Sequence, residues 1–115
     1  GIFSMAFSNE NDGVIVGGCY LDSTSTIGNC SVTNNGGKSW SPVTEKPPLG
    51  YRSCVANIPG TEWWIVVGRT GTDYSKDNGR TWTSLSNEGY FACAFSENVG
   101  WAVGRNGKMA KMGLR

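Results

Sequence analysis

Short apolar runs with small residues interleaved recur three times along the chain, each opening on a glycine: GIFSMAF from Gly1, GYRSCVA from Gly50 and GYFACAF from Gly89. A turn-rich, mostly acidic connection follows each one (SNENDG from Ser8, PGTE from Pro59, SENVG from Ser96). Next comes a second apolar run ending in Val-Gly: VIVGG from Val14, WIVVGR from Trp64 and WAVGR from Trp101. Runs of this length, rich in β-branched and aromatic residues and bounded by Gly, Pro and Asn, read as β-strands. A third run follows a loop, as CSVTNN from Cys30, TDYSKD from Thr72 and KMAKM from Lys108. In the first two copies an Asn/Asp-Gly turn then reverses the chain into a fourth strand beginning at Trp40 or Trp82. Glycine at such a tip takes a positive φ at little cost. The third copy ends after three strands.

The pattern is therefore a four-stranded antiparallel unit of about 40 residues, repeated, which is how a β-propeller blade looks in sequence. The units run 1–49, with a loop inserted between its second and third strands, then 50–88, then 89–115 as a partial blade. They form one all-β propeller segment of about two and two-thirds blades. A single blade cannot bury both of its faces, so an arc of this size is expected to leave two sheet faces open. Either a larger propeller or self-association would cover them. A third strand as the last strand also suits propellers whose final blade borrows its fourth strand from the other end of the polypeptide. On that basis the end at Arg115 is expected to be natural and the start at Gly1 artificial.

Composition narrows the chemistry. With 38% hydrophobic residues and 17 glycines among 115 residues, the core is lean and tight turns are frequent. A formal charge of +1 supplies no global field toward nucleic acid. No apolar run approaches the roughly 20 residues a membrane-spanning helix requires. The chain contains no histidine, so these residues cannot form a Ser-His-Asp or Cys-His nucleophilic system or an imidazole metal site. The cysteines lack CxxC spacing, and neither a metal nor a cofactor is expected.

SKDNGRTW, with Ser75, Asp77, Gly79, Thr81 and Trp82, resembles the SxDxGxTW Asp box of the BNR repeat family. TNNGGKSW is a degraded first copy that keeps Gly37 and Trp40, has Asn35 in the acidic position, and carries Thr33 and Ser39 as its hydroxyl residues. Taken with the Val-Gly strands and the ending GWAVGRNGKMAKM, the chain is also similar to the photosystem II stability/assembly factor propellers. The resemblance implies a propeller; the repeat itself occurs in sialidases and in many non-enzymatic proteins. The box residues explain themselves as a folding device, because their hydroxyl and carboxylate can pair turn backbone groups and the tryptophan can cover the hairpin base.

In a four-stranded meander, the start of strand one and the loop after strand two share one end. That end collects Tyr51, Arg52, Arg69, Tyr90 and Arg105, together with Tyr20 and Asp22 of the inserted loop. Guanidinium groups beside tyrosines suit a carboxylate, and sialidases use such a cluster; solvated arginines paired with nearby acids are the plainer alternative. Glu10, Asp12, Glu62 and Glu97 fall at the opposite end. Only Asp22 and Asp73 approach the arginines, so the carboxylates of a glycosidase are poorly provided. The expected function is a non-catalytic binding or assembly module for a protein segment or anionic ligand. The alternative is a sialidase-like domain that binds or hydrolyses a glycan.

Cys19 and Cys30 bracket the inserted loop and are placed to form a disulfide, which would imply an extracytoplasmic location. Cys54 and Cys93 align with each other and with Met5, as small inner-strand residues carrying free thiols. Asn29-Cys30-Ser31 matches a glycosylation sequon. Trp63 and Trp64 read as blade packing, with sugar stacking as the lesser alternative.

Overall fold

The computed structural model describes residues 1–113; Leu114 and Arg115, the end of the expected third unit, lie outside the described residues. Among the described residues eleven strands form three antiparallel sheets, within each of which strands pair with their neighbours in sequence. Sheet 1 contains β1 (Ile2–Phe7), β2 (Gly13–Gly17), β3 (Cys30–Thr33) and β4 (Ser41–Pro42). Sheet 2 contains β5 (Cys54–Asn57), β6 (Trp64–Gly68), β7 (Gly71–Ser75) and β8 (Thr83–Ser86). Sheet 3 contains β9 (Ala92–Ser96), β10 (Val99–Val103) and β11 (Met109–Gly113). The first strands converge, β1 against β5 and β5 against β9, so the sheets fan out from an inner edge. No helix among the described residues is long and apolar enough to cross a membrane.

Period-two alternation decides which side chains enter each interface. Val14, Val16 and Cys30 of sheet 1 meet Val55, Trp64, Val66 and Trp82 of sheet 2 in one apolar cluster. The other face of sheet 2 offers Ile65 and Val67, which with Ile58 meet Ala102 of sheet 3. All of β6 is therefore buried, since sheet 2 has a neighbour on both faces. The flanking sheets have a neighbour on one face only, so alternation shows at their uncovered strands, as in β10, where Gly100 and Ala102 are buried between exposed Val99, Trp101 and Val103. Met5 and Phe7 on one side, and Val99, Trp101 and Val103 on the other, remain at least one-third exposed. These are the two open faces that the repeat count requires.

Volume is exchanged across one cross-strand pair. Phe7 lies over Gly13 and Phe95 over Gly100, close enough that a Cβ on either glycine would come within 2.7 and 2.5 Å of the ring. In sheet 2 the same pair is Asn57 with Trp64, so the large side chain has moved to the other strand.

The register also corrects one equivalence. Cys54 pairs with Val67, whereas Cys93 pairs with Ala102, the counterpart of Val66 in the two Val-Gly endings. One more residue separates Gly50 from the paired part of β5 than separates Gly89 from that of β9. Cys93 thus corresponds to Val55, and Cys54 to Ser4. The two cysteines look at each other across the interface between sheets 2 and 3 and do not repeat one position.

The box turn is built from its own side chains. Ser75 Oγ donates to Asp77 Oδ1 at 2.8 Å and accepts the Gly79 N–H at 2.9 Å. Asp77 in turn accepts the Thr81 N–H at 2.9 Å and the Thr81 hydroxyl at 2.7 Å. Gly79, at φ 85°, takes the left-handed conformation and lies against Val14 and Val32 of the preceding sheet. Trp82 donates to the Gly79 carbonyl at 2.7 Å and is buried between the sheets. The first copy makes the same bonds with an amide: Asn35 Oδ1 accepts from Thr33 Oγ1 and Ser39 N, and Asn35 Nδ2 donates to Ser39 Oγ. Trp40 is only half-buried, edge-on to Phe7, because its outer side has no sheet against it.

Partial burial works to raise the Asp77 carboxyl. It is outweighed by hydrogen bonds from the Thr81 side chain and backbone, from Ser75 and from the Arg80 backbone, which hold the group below the usual carboxylate range.

Two expectations follow for urea unfolding. Trp82→Ala should cost about 3–5 kcal/mol and Trp40→Ala only about 1–2, since only the first opens a cavity inside an interface; equal losses would overturn that account of the two tryptophans. Asp77→Ala should destabilise by about 1–2 kcal/mol and Asp77→Asn by less. A depressed folded pKa stabilises above the unfolded value and is lost as pH falls through the folded one, so that acid-dependent component should vanish in Asp77→Asn.

Candidate functional site

One end of the fan is assembled by backbone hydrogen bonds that tie each first strand to a loop after a second strand. Arg52 N donates to Gly17 O at 2.9 Å, Tyr51 N to Ser23 O at 2.9 Å and Tyr90 N to Gly68 O at 3.0 Å. The inserted loop of sheet 1 thereby lies over the start of sheet 2, where Tyr20 and Tyr51 stand 6.5 Å apart and Phe3 meets Tyr51 edge-on. Asp22 is exposed on that loop and accepts the Thr24 hydroxyl at 3.0 Å.

Between sheets 2 and 3 the same end opens into a cleft of about 350 Å³ lined by Arg69, Gly89, Phe91, Arg105, Asn106 and Lys108. Arg69 reaches it from the end of β6 and is steadied by donating to the Tyr20 carbonyl at 2.7 Å. Arg105 opens a short 3₁₀ turn (Arg105–Gly107) in which Asn106, at φ 59°, bends the chain back. Lys108 stacks over the Tyr90 ring at 4.7 Å and pairs with Glu88, whose carboxyl is held below its ordinary value by that ammonium. No acidic side chain among the described residues pairs with Arg69 or Arg105. The cleft thus presents two guanidinium groups that have no acidic partner among the described residues, beside a lysine already paired with Glu88, a donor-bearing surface suited to carboxylates.

Arg52 is the correction. It is expected beside Arg69 and Arg105, but its side chain is only 2% exposed. Its Nε donates to Asp73 Oδ2 at 2.7 Å, and its Nη1 donates to Tyr51 O and Thr70 Oγ1, both at 3.0 Å. Leu49 N adds a bond to Asp73 Oδ2 at 3.2 Å. The Arg52 side chain packs closely against Gly50, Gly68 and Gly71; a Cβ on each would lie 3.2–3.3 Å from it. Asp73, in mid-strand, must find a cation, and that is the one signal in the sequence for this pair. The same ion pair removes Asp73 from the carboxylates available to a glycosidase. Lys108, which the sequence reading passed over, reaches the cleft because the Arg105–Gly107 turn folds it back beside Tyr90.

The chain is similar in structure to YCF48 bound to D1 peptide, with a TM-score of 0.74 and 17% identity over 96% of this chain and 37% of that one. It is likewise similar to YCF48 from Cyanidioschyzon merolae, with a TM-score of 0.70 and 22% identity over 96% of this chain and 33% of that one. The chain is a segment of a β-propeller. It spans about a third of the length of those two proteins. No family profile matches it, and no curated protein matches it in sequence.

Within this propeller segment the remaining candidates sit as follows. Cys19 is exposed, while Cys30 is buried beside Val16 and Trp82, and both are free thiols, so the expected bridge across the inserted loop is not formed. Cys30 belongs to the face of β3 that enters the core. Burial pushes its thiol up to about 12, against a smaller lowering by Trp82. The sequon asparagine is buried as well: Asn29 Nδ2 donates to Pro48 O and Gly50 O, both at 2.8 Å, and anchors the connection between sheets. Trp64 packs in the core as expected, and Trp63 stacks on Tyr74 at 5.9 Å.

Arg52→Ala should cost about 3–5 kcal/mol in urea unfolding, because Asp73 is left charged and buried, whereas Arg52→Met with Asp73→Leu should recover most of that loss. A loss under about 1 kcal/mol for the single variant would mean that the pair does not hold this end together.

Proposed function

We propose that this chain is part of a non-catalytic propeller module that binds an acidic protein segment at the cleft between sheets 2 and 3. The observation that carries the reading is the pair Arg69 and Arg105, aimed into one cleft without an acidic partner among the described residues. Arg69 is held by the Tyr20 carbonyl, so little of its side-chain freedom is lost on engaging an anion, and the backbone turn at Arg105–Gly107 sets where Arg105 starts. Lys108 and Tyr90 extend the surface. Tyr20, Tyr51 and Asp22 flank it on the side of sheet 1, and Arg52 acts from below by fixing the loops that carry it.

The likeness to YCF48, whose structure holds a D1 peptide, supports a peptide as the ligand class. The similarity of the whole chain to photosystem II stability/assembly factors supports an assembly role. In this reading the chain is an arc of a closed ring, with units 1–49, 50–88 and 89–115 as successive blades. Further sheets cover Met5 and Phe7 at one side and Val99, Trp101 and Val103 at the other.

The test is peptide binding by fluorescence anisotropy, using acidic peptides and their amidated or neutral counterparts. Arg69→Glu with Arg105→Glu should weaken the acidic peptide at least about tenfold, and added salt should weaken wild-type binding in the same direction. Unchanged affinity in the double variant would remove the cleft as the site. Turnover of a fluorogenic sialoside by the wild-type chain would replace this reading with the glycosidase one.

A further inference from the structure

Cys54 and Cys93 meet across the interface between sheets 2 and 3, on the inner strands β5 and β9. The Cys93 thiol points at Cys54 Sγ with the sulfurs 3.8 Å apart. Cys54 Sγ also lies 3.3 Å from the backbone N of Cys93, whose N–H it accepts in either protonation state, and 3.3 Å from the Cys93 carbonyl O, to which it donates only as a thiol. A disulfide has a bond of about 2.05 Å, so the sulfurs must close by roughly 1.8 Å. Both side chains are only half-buried, which leaves Cys54 itself partly open to a small solute, and Cys93 lines an open trough of about 440 Å³ along the inner edge beside it.

The neighbouring interface shows that sulfur is not needed there for hydrogen bonding. At the matching place between sheets 1 and 2, Ser4 Oγ accepts the Val55 N–H at 3.0 Å, as Cys54 Sγ accepts that of Cys93. A hydroxyl fills the role with a stronger acceptor than a thiol. What the pair adds is two sulfurs facing each other. Neither of the other cysteines has this, since Cys30 is closed in the core and Cys19 stands exposed on its loop.

We propose that Cys54 and Cys93 are a peroxide-reactive pair that closes to a disulfide and locks sheet 2 to sheet 3, the two sheets that carry Arg69 and Arg105. The Cys54 thiolate attacks hydrogen peroxide; an S–O bond forms, the O–O bond breaks, and hydroxide leaves to become water. Cys93 then gives up its proton and attacks the Cys54 sulfenic acid; the S–S bond forms, the S–O bond breaks, and a second water leaves. Two thiols lose two electrons and one peroxide gains them. The assignment of roles follows the local environment. Donation from the Cys93 thiol, helped by the Cys93 N–H and Ser4 against the opposing effect of burial, brings Cys54 down to about 6. That same donation, with burial, raises Cys93 far above the ordinary thiol range. Cys54 is the attacking thiolate and Cys93 the resolving thiol.

The test is to treat the chain with hydrogen peroxide, alkylate the remaining thiols and map the peptides. The expected result is a peptide pair joined through Cys54 and Cys93, a Tm raised by roughly 5–15 °C and reversal of both by dithiothreitol. Cys93→Ser should leave a sulfenic acid on Cys54 that dimedone captures, and Cys54→Ser should leave Cys93 unmodified; Ser4 shows that serine fits this place in the interface. The proposal is overturned if Cys54 and Cys93 both stay alkylatable when Cys19 has been oxidised. It is also overturned if Cys93 oxidises equally fast in Cys54→Ser.

Discussion

A β-sheet that is apolar on both faces cannot stand alone in water, and nearly everything in this structure follows from that constraint. Sheet 2 meets it fully: Trp64, Val66 and Trp82 go to one neighbour and Ile65 and Val67 to the other. The flanking sheets meet it on one side each. The exposure of Met5, Phe7, Trp101 and Val103 is the same constraint left unmet at the two ends of the arc. The tryptophan of each box shows the difference within one motif. Trp82 and Trp40 follow nearly identical turns, yet one is buried and the other half-exposed, because only one has a sheet on its far side.

Stacking the sheets also determines where charge can go. The interface between sheets 1 and 2 is closed at its loop end by Arg52 and Asp73, a buried pair that binds loop backbone as well as itself. Such a pair is costly to desolvate and costlier to break. Its value here is positional, since it anchors the inter-sheet connection and the start of β5. With Arg52 used inside, the cleft between sheets 2 and 3 is left to Arg69, Arg105 and Lys108. The three arginines expected at this end therefore divide by interface: Arg52 holds the scaffold, Arg69 and Arg105 face an opening.

The strand pattern was legible in the chain because glycine-led apolar runs and Val-Gly endings recur; the observed strands overlap those runs with ends shifted by a residue or two, as where β10 begins at Val99 inside the expected SENVG connection. The box turns were legible for a similar reason, as the side-chain bonds of Ser75, Asp77, Thr81 and Trp82 that shape SKDNGRTW are made within eight residues. The site was legible only in part. Topology alone brings Arg69 and Arg105 to one end, but it brings Arg52 there too, and nothing local distinguishes a guanidinium aimed at solvent from one aimed at an aspartate 21 residues away. The cysteines show the same limit twice. Cys19 and Cys30 bracket a loop, yet the pleat turns Cys30 into the core; Cys54 and Cys93 align as repeats, yet one extra residue before β5 makes them facing partners.

The sequence by itself determined the repeat, the antiparallel meander and the chemistry of each turn, because these depend on backbone sterics and on hydrogen bonds between residues close in the chain. The tertiary structure alone decided which arginine is buried, which tryptophan is covered and which sulfurs meet. Those outcomes depend on the face each residue takes in the pleat and on what the next sheet places opposite. A shift of one residue reverses that face without changing the apolar pattern of the run.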